Sequence, residues 1–316
     1  MPSARVTPNV FGAPFGFCGL AQCWATAHAT AGTPRWVADA LWILAAAVWV
    51  TTLIWYGRGV IRSGRLRTEL RDPVFAPFTA LIVIVPMFFG VALADHARTA
   101  GEVVFGIALA LTVAVGGWLS GAWIVADLQL AQWHPGYFLP TVGGGLIGSA
   151  GSAAFGHDTL AMAMFGYGVV CWLLLGTIIL LRLFTVPALP PPLRPTIAIE
   201  VAPPVVAGNV WFLMNGGRID AVAAGLAGYA VLMILVQLRL IPVYRRVPFG
   251  PGWWAFSFSY AAAFTLGVHW VGAARVPGHT IWTAALLAVL TIGIVALTVP
   301  TVRRLAAGTY LPTAPR

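Results

Sequence analysis

Long apolar runs separated by short polar segments make up most of this 316-residue chain. Ten of these runs approach or exceed the roughly 20 residues that an α-helix needs to cross a lipid bilayer. Their limits are 9–31, 36–62, 74–95, 99–131, 137–155, 158–184, 195–215, 219–243, 251–274 and 279–302. The pattern therefore predicts an all-α polytopic membrane protein. It consists of a single transmembrane domain over residues 1–316, with ten spans and short tails at 1–8 and 303–316.

The composition excludes a soluble domain of any size. Hydrophobic residues make up 59% of the chain and charged residues only 9%, and the mean hydropathy is +0.88. Soluble domains carry about 25% charged residues, because water must wet their surface. The basic pI of about 10.3 does not indicate binding of nucleic acid, because the arginines are scattered between apolar runs and do not gather on one polar face.

The arginines predict the orientation of the spans. All 18 basic residues are arginine, and all but four of them fall on one side of the ten predicted spans. The other side receives Arg35, Arg98, Arg218 and Arg275. Because cytoplasmic loops retain positive charge, we expect both termini in the cytoplasm, in a multi-pass protein of the plasma or inner membrane.

Proline alternates along the spans. The first four odd-numbered spans contain it internally, whereas even-numbered spans contain it only near their ends, at Pro242 and Pro300. Proline bends a membrane helix and frees backbone carbonyls, which protein or water must then satisfy. The alternation predicts kinked inner helices around a path and straight helices outside them. The internal prolines are Pro14, Pro77, Pro86, Pro140, Pro203 and Pro204, and the 63-residue spacing of Pro14, Pro77, Pro140 and Pro203 suggests a repeated helical hairpin.

Span 5 is nearly free of bulky side chains from Gly143 to Gly151. One interpretation is close packing of this helix through small residues. The other is that the missing side chains leave a lumen. The two interpretations are compatible, and the sequence does not choose between them.

Few residues could carry chemistry. No HExxH, GxSxG, paired-aspartate or phosphate-loop motif occurs, the six histidines lack ligand spacing, and the three cysteines form no CxxC pair. The sequence therefore predicts neither an enzyme nor a metal or cofactor site. Among charged residues within the spans, only Glu200 and Asp127 qualify as functional candidates. Glu200 could relay protons, pair with Arg194 or another arginine, or face a watery vestibule.

Span 9 contains a dense aromatic and serine segment, from Gly252 to Tyr260, and has no internal proline. An aromatic ring facing a lumen would close it sterically and by dewetting. Packing between helices is the alternative role for any one of these rings.

The chain resembles the tellurite-resistance and C4-dicarboxylate transporter family, which includes the plant slow-type anion channels. Four segments carry the resemblance, in order along nearly the whole chain: Pro14-x-Gly16-x-x-Gly19-Leu20-Ala21, the run from His134 to Gly143, Pro195-Thr196 to Ala202-Pro203-Pro204, and the run from Trp253 to Phe258. The resemblance implies ten helices in five hairpins, with odd helices lining a central pore and even helices outside, and a homotrimer with one pore per subunit. It also implies that a phenylalanine on the ninth helix, here Phe258, occludes the pore.

We therefore expect a pathway for anions, either a channel or a channel-like transporter, with chloride, nitrate or C4-dicarboxylates as substrates. Phe258 is the expected gate. The alternative is a proton-linked exporter of organic acids or tellurite-type oxyanions, with Glu200 as the proton site. The candidate pore-lining or kink residues are Pro14, Gly16, Pro86, Pro140, Gly143, Pro203 and Phe256.

Overall fold

The computed structural model describes residues 5–311 and leaves out residues 1–4 and 312–316. Within that range all regular structure is helical, which confirms the all-α prediction. The tails expected at 1–8 and 303–316 lie partly outside the described residues. The ten long helices are α1 Gly12–Ala31, α2 Arg35–Ser63, α3 Leu81–Ala94, α4 Arg98–Ile124, α5 Gly144–Phe155, α6 Asp158–Thr185, α7 Ala202–Met214, α8 Ala221–Tyr244, α9 Ala255–Ala273 and α10 His279–Ala306.

Each odd-numbered helix is preceded by a short non-α turn, whereas the even-numbered helices begin directly. Each of these turns has proline at its first or second position. Proline fits there because the first N–H groups of a helix have no partner within the helix. The turns are the 3₁₀ segments Pro8–Phe11, Ala76–Ala80, Pro191–Val201 and Pro251–Trp254 and the π-helical segment Leu139–Gly143.

The prolines of the odd spans therefore mark helix beginnings more than kinks, which corrects the interpretation from sequence. Pro14 is the third residue of α1, Pro140 lies in the π-helical turn before α5, and Pro203 is the second residue of α7. Of the odd-span prolines, Pro86 is the one that lies in a helix interior. Among even helices, Pro300 also lies inside its helix, α10, instead of at its end.

The share of buried residues also alternates between odd-numbered and even-numbered helices. In their apolar stretches, 56% of residues are buried in α3 with its turn and 67% in α7 with its turn. The corresponding share is 11% in α2, 33% in α4, and 22% in each of α6, α8 and α10. Large apolar side chains are exposed on every even helix, for example Ile43, Ile107, Leu174, Leu235 and Ile292. The odd helices are central, and the even helices present an apolar surface of the kind that lipid covers.

The five odd helices form a closed ring of contacts. In ring order α1 packs on α9, α9 on α7, α7 on α5, α5 on α3, and α3 on α1. Each even helix packs against the odd helix that precedes it in the chain. This arrangement places the odd helices around a common axis.

Seven helices of the described residues are long and apolar enough to cross a membrane. They are all five even helices, together with α3 and α7 including their preceding turns. The other three, α1, α5 and α9, belong to the inner ring and are shorter or richer in glycine and polar residues. Helices enclosed by other helices do not need the hydropathy that contact with lipid requires.

Glycines of the inner ring allow its helices to approach closely. On α1, a Cβ at Gly16 would overlap the Ser257 side chain of α9, and one at Gly19 would lie 2.7 Å from the Ala261 Cβ. On α5, a Cβ at Gly148 would lie 2.6 Å from Leu109 Cδ1 of α4. Most of the glycine-rich stretch of α5 thus serves close packing.

Candidate functional site: an aromatic barrier between two cavities

A first cavity, of about 60 Å³, lies at the N-terminal ends of the odd helices. All five odd helices or their turns contribute to its lining, including Phe15, Phe78, Val142, Pro203 and Trp254. Apart from Asn9, Ser259 and the Trp254 indole, the lining side chains are apolar. We call it the N-terminal cavity.

A second cavity, of about 160 Å³, lies further along the same five helices, towards their C-terminal ends. Apolar side chains line part of its wall, and polar side chains line the rest. The polar ones are Gln22, Thr26, Asn209, Thr265 and His269. We call it the C-terminal cavity.

Phe258 borders both cavities, together with Ile147 and Val206. The Phe258 side chain is buried between the two spaces. Its ring stacks on Phe15, with centroids 3.7 Å apart and planes 17° apart, and meets the edge of Phe88 at 5.8 Å. The boundary between the cavities is therefore entirely apolar, and aromatic rings form much of it.

The first turn of α9 holds Phe258 in place. Ser257 donates a hydrogen bond to the Trp254 carbonyl at 2.6 Å, and Ser259 donates one to the Ala255 carbonyl at 3.2 Å. These bonds satisfy both hydroxyl groups inside an apolar bundle, and the helix continues regularly through Ser259. Gly19 on α1 lies against the Phe258 ring, since a Cβ there would be 3.2 Å from Phe258 Cδ2.

Three of the residues singled out from sequence border a cavity. Phe258 borders both, and Gly143 and Pro203 line the N-terminal cavity. A Cβ at Gly143 would find no atom closer than 3.7 Å. At that position, the missing side chain leaves space at the cavity wall, unlike the glycines of α5 that serve packing.

The other candidates border neither cavity. Gly16 lies in the contact between α1 and α9, and Pro86 precedes the cavity-lining Met87. Phe256 points away from the axis and meets the Tyr244 ring edge-on, with centroids 4.9 Å apart. Pro14 and Pro140 belong to helix beginnings.

Glu200 lies on the turn before α7 and is only 4% exposed. Its Oε1 has no hydrogen-bond partner, and within residues 5–311 its carboxylate forms no ion pair. Arg194 donates to the Leu189 carbonyl, so the pairing considered from sequence does not form. Asp127 lies beyond the end of α4 and is exposed. The run predicted at 99–131 therefore ends earlier, at Ile124, because the apolar residues after it belong to a connection.

Several residues of this site were not found from the sequence. Phe15 and Phe88 look like ordinary lipid-facing phenylalanines in a chain with 17 of them. Asn209 is a single amide in an apolar run, and its position on an inner helix was the one available signal. These residues become recognisable only when the ring of odd helices brings them together.

A buried acid elsewhere was also missed. Glu69, on the short helix Leu66–Glu69, is fully buried and accepts a 2.7 Å hydrogen bond from the Tyr56 hydroxyl. Arg5 and Arg65 lie 3.4 Å and 3.6 Å from its carboxylate. The four-residue spacing of Arg65 and Glu69 was the signal in the sequence. This cluster ties the N-terminal segment to α2.

Comparison with known proteins identifies the family of this chain. Residues 5–302 match the family described as SLAC1, voltage-dependent anion channel. A tellurite resistance protein TehA homolog of Haemophilus influenzae is 30% identical over 258 residues, which cover 80% of this chain and 77% of that protein. The S-type anion channel SLAH3 of Arabidopsis thaliana is 23% identical over 311 residues, which cover 94% of this chain and 48% of the plant protein. The chain belongs to the SLAC1 family of voltage-dependent anion channels, which confirms the resemblance seen in its sequence.

Proposed function

We propose that this protein is an anion channel or channel-like transporter of the inner membrane, with a pore closed by Phe258. Small inorganic anions or C4-dicarboxylates are its substrates. The observation that carries the proposal is the position of Phe258 between two cavities, each lined by all five odd helices. The family consists of channels and transporters, not of enzymes.

In this proposal all ten helices cross the membrane, as five hairpins with the odd helices around the pore. The arginine bias supports a cytoplasmic position for both termini. The N-terminal cavity then opens towards the cytoplasm and the C-terminal cavity towards the opposite side. A homotrimer with one pore in each subunit follows from the family resemblance.

The electrostatics of the path suit anions. Among residues 5–311, the lining of the two cavities includes no acidic side chain that would repel an anion and no arginine that would trap it, and His269 is its one ionisable side chain. The odd helices direct their N-termini, the positive ends of their dipoles, towards the N-terminal cavity. Conduction requires binding that is favourable enough for entry and weak enough for exit. The positive helix ends favour entry, and the lack of arginine in the lining favours exit.

The ring of Phe258 closes this path in two ways. It fills the boundary between the cavities, and together with Ile147 and Val206 it offers no hydrogen bond to replace the water around an anion. Such a constriction excludes ions by dewetting. Opening then requires the ring to leave its stack on Phe15.

The reversal potential of the purified protein in planar bilayers tests the proposed function. Under an asymmetric potassium chloride gradient, the current should reverse near the chloride equilibrium potential. Replacing chloride with nitrate or malate on one side should shift the reversal potential according to the permeability of each anion. A current that reverses at the potassium potential, or no current under any gradient in either the wild type or Phe258→Ala, would contradict the proposal.

A second function, proton-linked export of organic acids or tellurite-type oxyanions, is favoured by one observation. Glu200 is a buried carboxyl group whose Oε1 has no partner, and a buried ionisable residue inside a membrane protein is a candidate proton site. Against this alternative, Glu200 lines neither cavity.

Flux measured with and without a pH gradient separates the two functions. If Glu200 carries protons, a pH gradient should drive uptake or efflux, and Glu200→Gln should abolish that effect. The matched control is Glu102→Gln, which removes a surface carboxylate that contacts His157. Flux that follows only the electrochemical gradient of the anion, unchanged in Glu200→Gln, would exclude the exporter.

A further inference from the structure

A groove of about 670 Å³ lies on the outer face of α4, apart from the two cavities of the proposed path. The C-terminal part of α4 and the connection after it form most of its lining, and Leu70, Arg71 and Pro73, from the connection before α3, form the opposite wall. This volume falls within the about 300–1,000 Å³ that is typical of small-molecule sites. We call it the α4 groove.

Gly117 and Gly121 leave the floor of the α4 groove open. They lie four residues apart and therefore share one face of the helix, and a Cβ at either of them would find no atom within 4 Å. Gly101, near the start of the same helix, is different, because a Cβ there would lie 2.5 Å from the Gly90 carbonyl oxygen of α3. Gly117 and Gly121 thus serve no packing within the chain and leave room for a molecule outside it.

The length of the α4 groove matches one leaflet of a bilayer. Gly117 and Val125 are eight residues apart, which corresponds to about 12 Å of helix, and half of the hydrocarbon core is roughly 15 Å thick. Trp118 and Trp123 lie along the groove near the end of α4. Tryptophan is enriched at that depth, where the membrane meets water. The groove therefore runs from the membrane interface into the hydrocarbon region.

Arg71 places a positive charge at the interface end of the α4 groove. Its side chain is exposed, and among residues 5–311 no carboxylate forms an ion pair with it. The two nearest acids in the sequence are already engaged. Glu69 is held by two other arginines, and Asp72 Oδ1 accepts from the N–H groups of Val74 and Phe75 at 2.8 Å and 3.2 Å. The Arg71 guanidinium is available for a phosphate, which arginine binds through two parallel hydrogen bonds.

Charge favours a lipid over a second copy of the chain as the occupant of the α4 groove. Residues 5–311 hold all nine acids, and four of them lie at the end of the bundle where the odd helices begin: Glu69, Asp72, Asp127 and Glu200. Only Asp127 of these four is exposed, and it does not line the groove. Another copy would therefore bring mainly arginine to this end, whereas an anionic phospholipid brings a phosphate and hydrocarbon tails.

We propose that the α4 groove is a binding site for an anionic phospholipid, whose phosphate lies on Arg71 and one of whose acyl chains covers Gly117 and Gly121. The arginine bias assigns this end to the cytoplasmic leaflet, which is rich in anionic lipids. The site lies outside the proposed pore and does not depend on anion conduction.

Native mass spectrometry of the purified protein in detergent counts bound lipids and tests the headgroup contact. Dioleoyl phosphatidylglycerol and dioleoyl phosphatidylcholine carry the same tails and differ in the net charge of the headgroup. The wild type should bind the first phosphatidylglycerol about fivefold more tightly than phosphatidylcholine, as expected for one arginine at an anionic lipid. Arg71→Gln should bring this ratio close to one. The matched control Arg246→Gln removes an exposed arginine outside the groove at the same end and should keep the wild-type ratio.

A second pair of variants tests the contact with the acyl chain. Gly121→Leu fills the floor of the groove without a clash inside the chain, so it should reduce the binding of both lipids. The control Gly106→Leu places the same side chain at another exposed glycine of α4, outside the groove, where a Cβ also meets no atom within 4 Å. It should bind both lipids like the wild type.

Quenching of tryptophan fluorescence by lipids with brominated tails locates the bound molecule. Brominated phosphatidylglycerol should quench the wild type more than brominated phosphatidylcholine does, and this difference should disappear in Trp118→Phe. Trp36 is exposed on α2 at the opposite end of the bundle, so Trp36→Phe should keep the difference.

Three results would overturn the site: equal binding of the two lipids by the wild type, an unchanged ratio in Arg71→Gln, or the same loss in Arg246→Gln. Light scattering after size exclusion tests the other occupant. If Gly121→Leu dissociates an oligomer while lipid binding stays unchanged, the groove is an interface between copies and not a lipid site. A protein that conducts no anion but shows the predicted lipid preference would contradict the proposed function and leave the lipid site standing.

Discussion

Phe258 of α9 lies flat on Phe15 of α1, with ring centroids 3.7 Å apart. Phe15 borders the N-terminal cavity, and Phe258 borders both cavities. The barrier is thus a pair of rings held by two neighbouring helices, with Phe88 against its edge. Because both rings are buried and would lose their mutual contact if the pair separated, Phe15 stabilises the closed position of Phe258.

The first prediction concerns Phe15. Phe15→Ala should increase anion current, but less than Phe258→Ala does, because the Phe258 ring remains and only loses its stacking partner. The double variant should conduct like Phe258→Ala alone, since residues in contact give non-additive effects. Anion currents of the two single variants and the double variant in planar bilayers test this prediction. Additive increases in the double variant would show that the two rings act independently.

The second prediction concerns the contact between α1 and α9. Gly16→Ala should lower the stability of the protein by about 1–3 kcal/mol, because its Cβ would overlap Ser257 and force two packed helices apart. Gly57→Ala on α2 is the control, where a Cβ meets no atom within 4 Å. The thermal midpoint in detergent should fall for Gly16→Ala and stay the same or rise for Gly57→Ala. Equal midpoints would show that α1 and α9 do not pack as closely as described.

The positions of the helices could be predicted from hydropathy alone. The run predicted at 36–62 is the helix Arg35–Ser63, and the run at 158–184 is Asp158–Thr185. The prediction failed at 99–131, because Val125, Leu128 and Leu130 continue the apolar pattern after the helix has ended. Hydropathy indicates which residues can contact lipid or a protein interior. It does not locate the residue at which a helix ends.

The third prediction concerns Glu69. Glu69→Gln should lower the stability of the protein by about 1–3 kcal/mol, because it removes the charge shared by Arg5 and Arg65 inside the fold. Tyr56→Phe removes only the hydrogen bond to the carboxylate and should cost about 1 kcal/mol. Thermal unfolding in detergent shows which of the two variants loses more stability. A larger loss in Tyr56→Phe than in Glu69→Gln would contradict the description of this cluster.

The fourth prediction concerns pH and His134, in the connection between α4 and α5. Its Nδ1 accepts from the Gly136 N–H at 3.1 Å, its Nε2 lies 3.3 Å from the Pro73 carbonyl, and burial lowers the pKa of the imidazole to about 4. Between pH 6.5 and 4 the unfolded chain therefore binds a proton that the folded protein does not. Stability should fall across this range as pH is lowered, by about 1 kcal/mol per pH unit.

The variant His134→Asn tests that source of pH dependence. Asparagine keeps an acceptor near Gly136 but does not titrate, so its unfolding midpoint should fall less between pH 6.5 and 4.5. The control His279→Asn replaces an exposed histidine at the start of α10 and should retain the wild-type slope. An identical slope in His134→Asn would mean that other groups cause the loss of stability.

The site was predictable where the family resemblance or the patterns of proline and small residues reached it. Phe258 came from that resemblance, and Gly143 and Pro203 came from patterns of small residues and proline. Phe256 was a pore-lining candidate from the same aromatic segment of span 9, yet two residues along a helix turn a side chain by about 200°, and Phe256 packs on Tyr244 instead. Only the ring of odd helices determines which face of α9 points to the axis.

Phe256 and Phe258 together provide the most direct test of the central claim, that Phe258 closes a path between the two cavities. Anion current through the purified protein should be measured in planar bilayers for the wild type, Phe258→Ala and Phe256→Ala, after size-exclusion chromatography has confirmed that each variant is folded. Phe258→Ala should conduct at least tenfold more than the wild type, which corresponds to about 1.4 kcal/mol of lost barrier, and Phe256→Ala should conduct like the wild type. An unchanged current in folded Phe258→Ala, or an equal increase in both variants, would contradict the account.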